Sequence, residues 1–300
     1  MKCRFCNKKA IYEKERLCEE HFIKYYEKKI QRVIDPARLK DKKILIAISG
    51  GKDSVAAAVA LHSLGINFDL FFINLGIPRI SEESRRVVEQ LAEILEKKLI
   101  IYNLEEKEGF SIRDVHCNVG KIKWFKNTCS ICGAVKRYIM NKYAYENNYD
   151  YIITGHNMDD ELAISFLNLY SQQLEQLKRT GKIIPSIKEK RLVGRVKILY
   201  YLTEEENLLY VKIKNMPYTK MKCPYSDNPT QHKVKRYINQ GEQVLNNYKK
   251  NMLKVFTKIK KHLDISIKEV DLNLCEKCGY PTTSNICKYC RIKSILIGDK

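Results

Sequence analysis

Four short apolar runs divide the central part of the chain. They read KILIAIS (43–49), FDLFFINL (68–75), KLIIYNL (98–104) and DYIITGH (150–156). Each run is continuous rather than alternating, which is typical of parallel strands buried on both faces of a sheet. We therefore expect four strands at these positions.

Apolar residues recur at helical spacing between and after these runs. The spacing predicts one helix over 82–97, a second after Cys132 and a third after Asp160. Alternation of strands with helices predicts an α/β fold with a doubly wound parallel sheet. Ligands of such sheets bind where the strands end, so polar motifs directly after the runs are candidates for a site.

The alternation stops after residue 170. Residues 178–197 hold eight basic residues and one acid, with glycines and a proline between them, so we expect a basic loop region over 171–235. Residues 239–263 resume a lysine-rich helical pattern. If the charge serves to bind nucleic acid, we expect the contacts to spread over 178–197 and 249–261.

Charge and composition narrow the function. The 300 residues carry 55 Lys and Arg against 35 Asp and Glu, a net charge of +20. Such an excess favours a polyanionic partner, nucleic acid first; a general bias toward lysine is the alternative. No run approaches the roughly 20 apolar residues of a membrane span, and the N-terminus lacks a secretory core. We therefore expect a cytoplasmic protein without membrane contact.

The first apolar run leads into SGGKDS (49–54). Glycines between a strand and a helix let backbone N–H groups approach a phosphate, and the helix N-terminus favours its charge. Lys52 adds a full charge, Ser49 and Ser54 can donate hydroxyls, and Asp53 can hold Mg²⁺. The spacing matches neither G-x-x-x-x-G-K-[ST] nor G-x-G-x-x-G. An ordinary glycine-rich turn is the alternative.

The fourth run ends in TGHNMDDELA, with Gly155 at the turn and Asp159 and Asp160 opening a helix. Carboxylates at that place are also favourable on helix-dipole grounds alone. The sequence leaves the division of roles between the two aspartates open.

Seven of the eleven cysteines, together with one histidine, fall into two terminal sets. CRFC and CEEH are separated by eleven residues, and CEKC and CKYC by eight. Both are patterns of structural zinc sites, and zinc binding would supply folding energy to modules too short for a core. We expect two Zn²⁺, in modules at 1–24 and 270–300 around a catalytic domain at 25–265. The expected ligands are Cys3, Cys6, Cys18 and His21, and Cys275, Cys278, Cys287 and Cys290.

Four other cysteines lie in the central domain. Cys129 and Cys132 form CSIC at the start of a helix, and Cys223 follows in KCPYSD. Three cysteines can bind three irons of a 4Fe-4S cluster and leave the fourth iron open. Cys117 would then be an ordinary buried thiol.

The order of these motifs resembles one family. CRFC–CEEH, SGGKDS, CSICGAVKR, GHNMDD, KCPY and a terminal four-cysteine ribbon occur in an order similar to that of the tRNA 2-thiouridine synthetases of the PP-loop ATPase superfamily, which has the adenine nucleotide alpha hydrolase-like fold. The resemblance covers essentially the whole chain. It implies an ATP-dependent tRNA sulfurtransferase that adenylates O2 of a uridine and then replaces the oxygen at C2 with sulfur.

The resemblance also implies residue roles and partners. Lys136 would offset charge on the α-phosphate, Asp160 would handle a proton or the metal, and Asp53 would complete the catalytic set. The partners implied are tRNA, a sulfur donor (sulfide or the thiocarboxylate of a ubiquitin-like carrier) and a second copy in a homodimer. The cofactors implied are ATP, Mg²⁺, the cluster and zinc. The expected ATP-binding residues are Ala47, Ser49, Gly50, Gly51, Lys52, Asp53, Ser54, Asn74 and Gly155.

Two alternatives remain at this point. The same thiolation can run through a persulfide on Cys132 or Cys223 without a cluster. In a different class, the chain would be a zinc-dependent tRNA-binding protein without catalysis. Both the wobble position and the T-loop are family targets, and we expect the wobble uridine.

Overall fold

The structure is a computed structural model that describes residues 1–122, 124–125, 127–178, 180–226, 230–266 and 272–298. Several positions named above lie outside these ranges. They are Arg179 of the basic stretch, Asp227 of the KCPYSD string, and residues 270, 271, 299 and 300 of the expected C-terminal module.

A six-stranded sheet forms the centre of the molecule, in the order β3-β2-β1-β4-β6-β5. The four predicted strands are confirmed, each shorter than its apolar run because the flanking residues turn into loops at the sheet edges. All neighbours pair in parallel except β5 and β6, which are antiparallel. The strands are β1 (Ile44–Ala47), β2 (Asp69–Asn74), β3 (Leu99–Asn103), β4 (Tyr151–Thr154), β5 (Ile183–Ile184) and β6 (Gly194–Val196).

Helices cover both faces of this sheet, as the doubly wound prediction requires. None of the helices in the described ranges combines the length and apolar composition that a bilayer span needs. The helices are α1 (Glu19–Ala37), α2 (Lys52–Ser63), α3 (Ile80–Leu95), α4 (Leu104–Glu108), α5 (Ile112–Cys117), α6 (Thr128–Glu146), α7 (Met158–Tyr170), α8 (Leu174–Lys178), α9 (Glu204–Ile213), α10 (Thr230–Val244), α11 (Tyr248–Ser266) and α12 (Lys288–Ile297).

The loop predicted over 171–235 is wrong in part. This stretch contains α8, β5, β6 and α9. Its apolar residues are few but buried, among them Leu177, Val196 and Leu202, and the cations between them hide the periodicity. A capping box between Thr203 and Glu206 opens α9. The lysine-rich helical pattern of 239–263 is confirmed, although it belongs to two helices, α10 and α11, rather than one.

The terminal modules pack on opposite sides of the sheet. Tyr12 and Leu17 join the core formed with α1, α2, α7 and α9. The second module, whose two short strands are β7 (Asn273–Leu274) and β8 (Pro281–Thr282), joins the other core. There Tyr289 stacks on Tyr138 of α6, with ring centroids 3.7 Å apart.

β1 and β4 are neighbours at the centre of the sheet. The chain leaves β1 toward β2 and β3 on one side, whereas β4 continues to β6 on the other. A ligand crevice forms at such a reversal of strand order. SGGKDS follows β1 and the GHNMDD string follows β4, so the fold brings these two motifs to one crevice.

Candidate active site

The turn after β1 adopts a conformation that favours glycine. Gly50 has φ 78°, and a Cβ there would lie 3.1 Å from the Ser84 carbonyl oxygen. The Gly50 carbonyl accepts a 2.8 Å hydrogen bond from the Thr219 amide, and α2 begins at Lys52. The first N–H groups of α2 therefore point into the crevice, where they can bind an anion.

The two serines of this loop differ in position. Ser54 is buried, and its hydroxyl donates to the Gly51 carbonyl at 3.0 Å and accepts from the Ser49 amide at 3.2 Å. Ser49 is exposed, 3.1 Å from Ser54 between hydroxyl oxygens. Ser54 thus braces the loop from within, while Ser49 and Lys52 face the open side.

Gly155 brings the two motifs into direct contact. A Cβ at this position would lie 2.7 Å from the Ser54 amide nitrogen, closer than packed atoms allow. The end of β4 therefore lies against the first turn of α2 only because residue 155 has no side chain.

Asp53 is held from three directions. Its Oδ2 accepts from Lys52 Nζ at 2.7 Å, and its Oδ1 accepts from the side-chain amides of Asn157 at 3.1 Å and Asn207 at 2.8 Å. Burial raises the pKa of the Asp53 carboxyl, and Lys52 only partly offsets this. Sequence reasoning missed Asn207, because nothing in TEEENLL marks the residue that faces the loop.

The three acids at the start of α7 each pair with a lysine. Asp159 contacts Lys249 at 2.5 Å and Asp160 contacts Lys235 at 2.6 Å. Glu161 contacts Lys197 at 2.5 Å and Lys260 at 3.1 Å. These pairs tie α10 and α11 to the crevice.

Asp160 also closes a capping box with Asn157. Burial opposes its charge, but Lys235 outweighs burial and the pKa of the Asp160 carboxyl is lowered. Asp160 is therefore a fixed anion.

Ala47 and Asn74 lie at the carboxyl ends of two adjacent strands. Ala47 is in register with Thr154 on one side and Phe71 on the other. The Asn74 side-chain oxygen accepts from the Gly76 amide at 3.1 Å. Both residues border the crevice, next to the glycine loop.

Lys136 shares α6 with Cys129 and Cys132. It is exposed, one turn after Cys132. Burial lowers the pKa of the His156 imidazole, Asp160 opposes this, and among the lysines Lys197 lowers this pKa more than Lys136 does. The positive charge of Lys136 also acts on the Cys132 thiol. Lys136 is therefore near both the second motif and the cysteine set.

Cys129 and Cys132 occupy the first turn of α6, and Cys223 approaches from the loop before α10. The Cys129 thiol donates to the Tyr225 carbonyl at 3.7 Å. Burial raises the pKa of Cys132, Lys136 lowers it, and the nearby Cys223 and Cys129 thiolates raise it again. His116 stacks on Tyr225 with centroids 4.2 Å apart and reaches Thr128 at 3.0 Å, so it joins the two cysteine-bearing segments.

The geometry of these three thiols differs from that of a zinc site. Among the described Cys, His, Asp and Glu, the two terminal sets are the only groups of three or more whose ligand atoms all lie within 4.8 Å of one another. Two Zn–S bonds of about 2.3 Å cannot span more than about 4.6 Å. At least one pair of these three sulfurs is therefore farther apart than a single zinc ion allows. The prediction that Cys117 is a buried thiol is wrong: the residue is exposed, because it ends α5 where the chain turns outward.

The terminal sets have zinc geometry. Tetrahedral Zn–S bonds of about 2.3 Å place sulfurs about 3.8 Å apart. The Cys6 and Cys18 sulfurs are 3.7 Å apart, and so are those of Cys278 and Cys287. His21 Nδ1 lies 3.2 Å from the Cys18 sulfur. Both sets can therefore accept a single tetrahedral ion.

The chain is similar to known proteins over its whole length. Residues 23–240 match the family model of the PP-loop domain. The tRNA-5-methyluridine(54) 2-sulfurtransferase of Pyrococcus horikoshii is 37% identical over 297 residues, 97% of this chain and 93% of that protein. The protein of the same name from Thermotoga maritima is 35% identical over 300 residues, 98% of this chain and 96% of that protein.

A solved structure has the same fold. It is the U34-tRNA thiolase NcsA from Methanococcus maripaludis with its 4Fe-4S cluster, at a TM-score of 0.83 and 25% identity. The match covers 100% of this chain and 97% of that one.

Proposed function

This chain belongs to the PP-loop family of tRNA 2-sulfurtransferases, and from that premise we propose that it makes 2-thiouridine in tRNA at the expense of ATP. One observation carries the proposal. The segment that carries Cys223 contacts both sites: the Thr219 amide donates to the Gly50 carbonyl of the SGGKDS loop at 2.8 Å, and the Cys129 thiol donates to the Tyr225 carbonyl at 3.7 Å. A catalyst that activates a base with ATP and then delivers sulfur needs these two sites side by side.

In the first step, O2 of the uridine attacks the α-phosphate and pyrophosphate leaves. The N–H groups at the start of α2, with Ser49 and Lys52, bind the phosphates, and the backbone near Ala47 and Asn74 binds the adenosine. Lys52 must leave Asp53, now 2.7 Å away, to reach a phosphate. The Asp53 oxygen that Lys52 releases would help to hold Mg²⁺, which would offset the charge of the phosphates.

Lys136 offsets the charge that builds on the α-phosphate during the attack. Asp160 contributes as a fixed anion rather than as a base, because Lys235 stabilises its charged form. It thereby holds α10 and the second motif in place beside the nucleotide.

In the second step, sulfur attacks C2 and AMP leaves with the former O2. Cys129, Cys132 and Cys223 would hold a 4Fe-4S cluster, which supplies an iron position free to bind the incoming sulfur. The three thiols are spread too widely for one zinc ion, and NcsA, with the same fold, carries such a cluster.

We propose the T-loop uridine at position 54 as the target, in place of the wobble uridine expected from the sequence. The relatives from P. horikoshii and T. maritima, at 37% and 35% identity, bear names that specify position 54. NcsA, named for position 34, is 25% identical. We further propose two structural Zn²⁺, a homodimer in the cytoplasm, and sulfide or a ubiquitin-like thiocarboxylate as the donor.

The test is thiolation of unmodified tRNA with ATP, Mg²⁺ and sulfide under anaerobic conditions, with the product nucleoside mapped to its position. We expect one AMP per 2-thiouridine, at position 54. Sulfur at position 34 would overturn the target, and tRNA binding without AMP formation would favour a non-catalytic binder.

A further inference from the structure

α10 has three faces with different surroundings. Val234 and Ile238 are buried in the core. Gln231 and Lys235 face Asp160, with Gln231 Nε2 3.3 Å and Lys235 Nζ 2.6 Å from Oδ1. The helix therefore lies along the border of the active-site crevice.

The third face is open to solvent. It consists of Lys233, Arg236, Tyr237 and Gln240, which follow the i, i+3, i+4, i+7 spacing of one helix surface and line a cleft of about 290 Å³. We name these four residues the α10 open face. Tyr237 is 73% exposed. An exposed aromatic ring beside two cations on one helix surface has the chemistry of a nucleotide-binding surface.

The lysines that the sequence marked for nucleic acid are partly engaged inside the protein. Lys249 pairs with Asp159, Lys250 with Glu15 and Lys260 with Glu161. These three lysines belong to the 249–261 stretch. Fewer positive charges of that stretch are therefore available to a polyanion than the sequence indicates. Lys233 and Arg236 belong to α10, the helix that borders the crevice, and both residues are exposed.

We propose that the α10 open face binds the tRNA substrate, with Lys233 and Arg236 on backbone phosphates and a base stacked on Tyr237. This inference rests on the proposed function, because it supposes that the partner is RNA. Charge favours RNA over a protein partner: the face itself carries two cations and no acid, on a chain of net charge +20. Lys235 on the other side of this helix contacts Asp160, and a helix is only about 10–12 Å thick, so a tRNA whose target base enters the crevice can extend over the open face.

The experiment compares tRNA binding by the full-length protein and its variants across a salt series. Tyr237→Ala should weaken binding of an unmodified tRNA transcript about 10-fold, whereas Tyr237→Phe keeps the ring and should bind like wild type. Lys233→Gln with Arg236→Gln should lower the slope of log K against log salt by about 1.4 to 1.8. An unchanged ATP affinity and an unchanged zinc content would establish that the variants are folded.

The matched control removes the same groups elsewhere. Arg32→Gln with Lys40→Gln deletes two exposed cations, and Tyr145→Ala deletes a tyrosine that is 41% exposed. We expect little change from these. If the α10 variants and the control variants weakened tRNA binding equally, the proposal would be overturned, and binding by charge spread over the whole surface would be favoured. Unchanged tRNA binding with a changed oligomeric mass would overturn it in favour of a protein interface. Wild-type protein that fails to thiolate tRNA would count against the proposed function, independently of this face.

Discussion

The side chain of Asn207 joins helix α1 to the nucleotide loop. Its amide donates to Asp53 Oδ1 at 2.8 Å, and its oxygen accepts from the Tyr26 hydroxyl at 2.8 Å. Asn207 is fully buried, and the adjacent Glu206 accepts from Lys29 of the same helix α1 at 2.7 Å. Two neighbouring residues of α9 thus connect α1 and the acid of the loop.

Asn207→Ala should alter the pH dependence of thiolation. Asp53 must be ionised to share Mg²⁺, and burial already raises the pKa of its carboxyl. Loss of a donor that stabilises the anion raises this pKa further. When the solution is acidified, the variant should therefore lose activity at a higher pH than wild type does. Tyr26→Phe, which keeps the donor of the Asn207 amide, is the control. It should lose activity at the same acidic pH as wild type. Superimposable pH profiles for Asn207→Ala and wild type would contradict this role.

Gly155→Ala should reduce ATP affinity about 10-fold or more. The new Cβ would lie 2.7 Å from the Ser54 amide nitrogen, and a backbone atom cannot move aside without shifting the first turn of α2. Gly120→Ala is a matched control, since a Cβ there meets nothing within 4 Å. Isothermal titration with a non-hydrolysable ATP analogue measures both. Equal affinity in the two variants would mean that the motifs are not in contact.

Glu161→Gln should destabilise the fold by about 3 kcal/mol, because Lys197 and Lys260 would lose the partner of a buried ion pair. Burial opposes the charge of Glu161, but the two lysines outweigh it and lower its pKa. The stabilisation by the Glu161 charge is therefore fully present above the pKa of Glu in the unfolded state, near 4.3. It is lost as the pH falls through the lower pKa of Glu161 in the folded state. Urea unfolding measures this, with exposed Glu189→Gln as control; equal stability of the two variants would contradict it.

Metal analysis of aerobically purified protein should give about two zinc per chain, one for each terminal set. Cys275→Ala with Cys278→Ala should leave about one, and should loosen the packing of Tyr289 on Tyr138, because zinc binding there is folding energy. Cys117→Ala should keep both ions. Full zinc in the double variant would disprove the C-terminal site.

The sequence predicted what depends on local pattern. The continuous runs located four strands, and the spacing of the cysteines located the two terminal sets of grouped ligands. Contacts between residues that are far apart in the chain could not be predicted from local pattern. Asn207 meets Asp53 across 154 residues, and the lysines that pair with α7 look like ordinary solvent-exposed charge in the chain. Cys117 resembles a core thiol in sequence, yet it lies on the surface because of where α5 ends.

The most direct test of the account is the thiolation rate of anaerobically reconstituted protein against its iron and sulfide content. We predict about four irons and four sulfides per chain, with cluster and thiolation lost together in Cys129→Ala, Cys132→Ala and Cys223→Ala and both kept in Cys117→Ala. Thiolation at full rate by cluster-free protein with all cysteines reduced would contradict the account. Loss of the cluster in Cys117→Ala alone would contradict the free iron position.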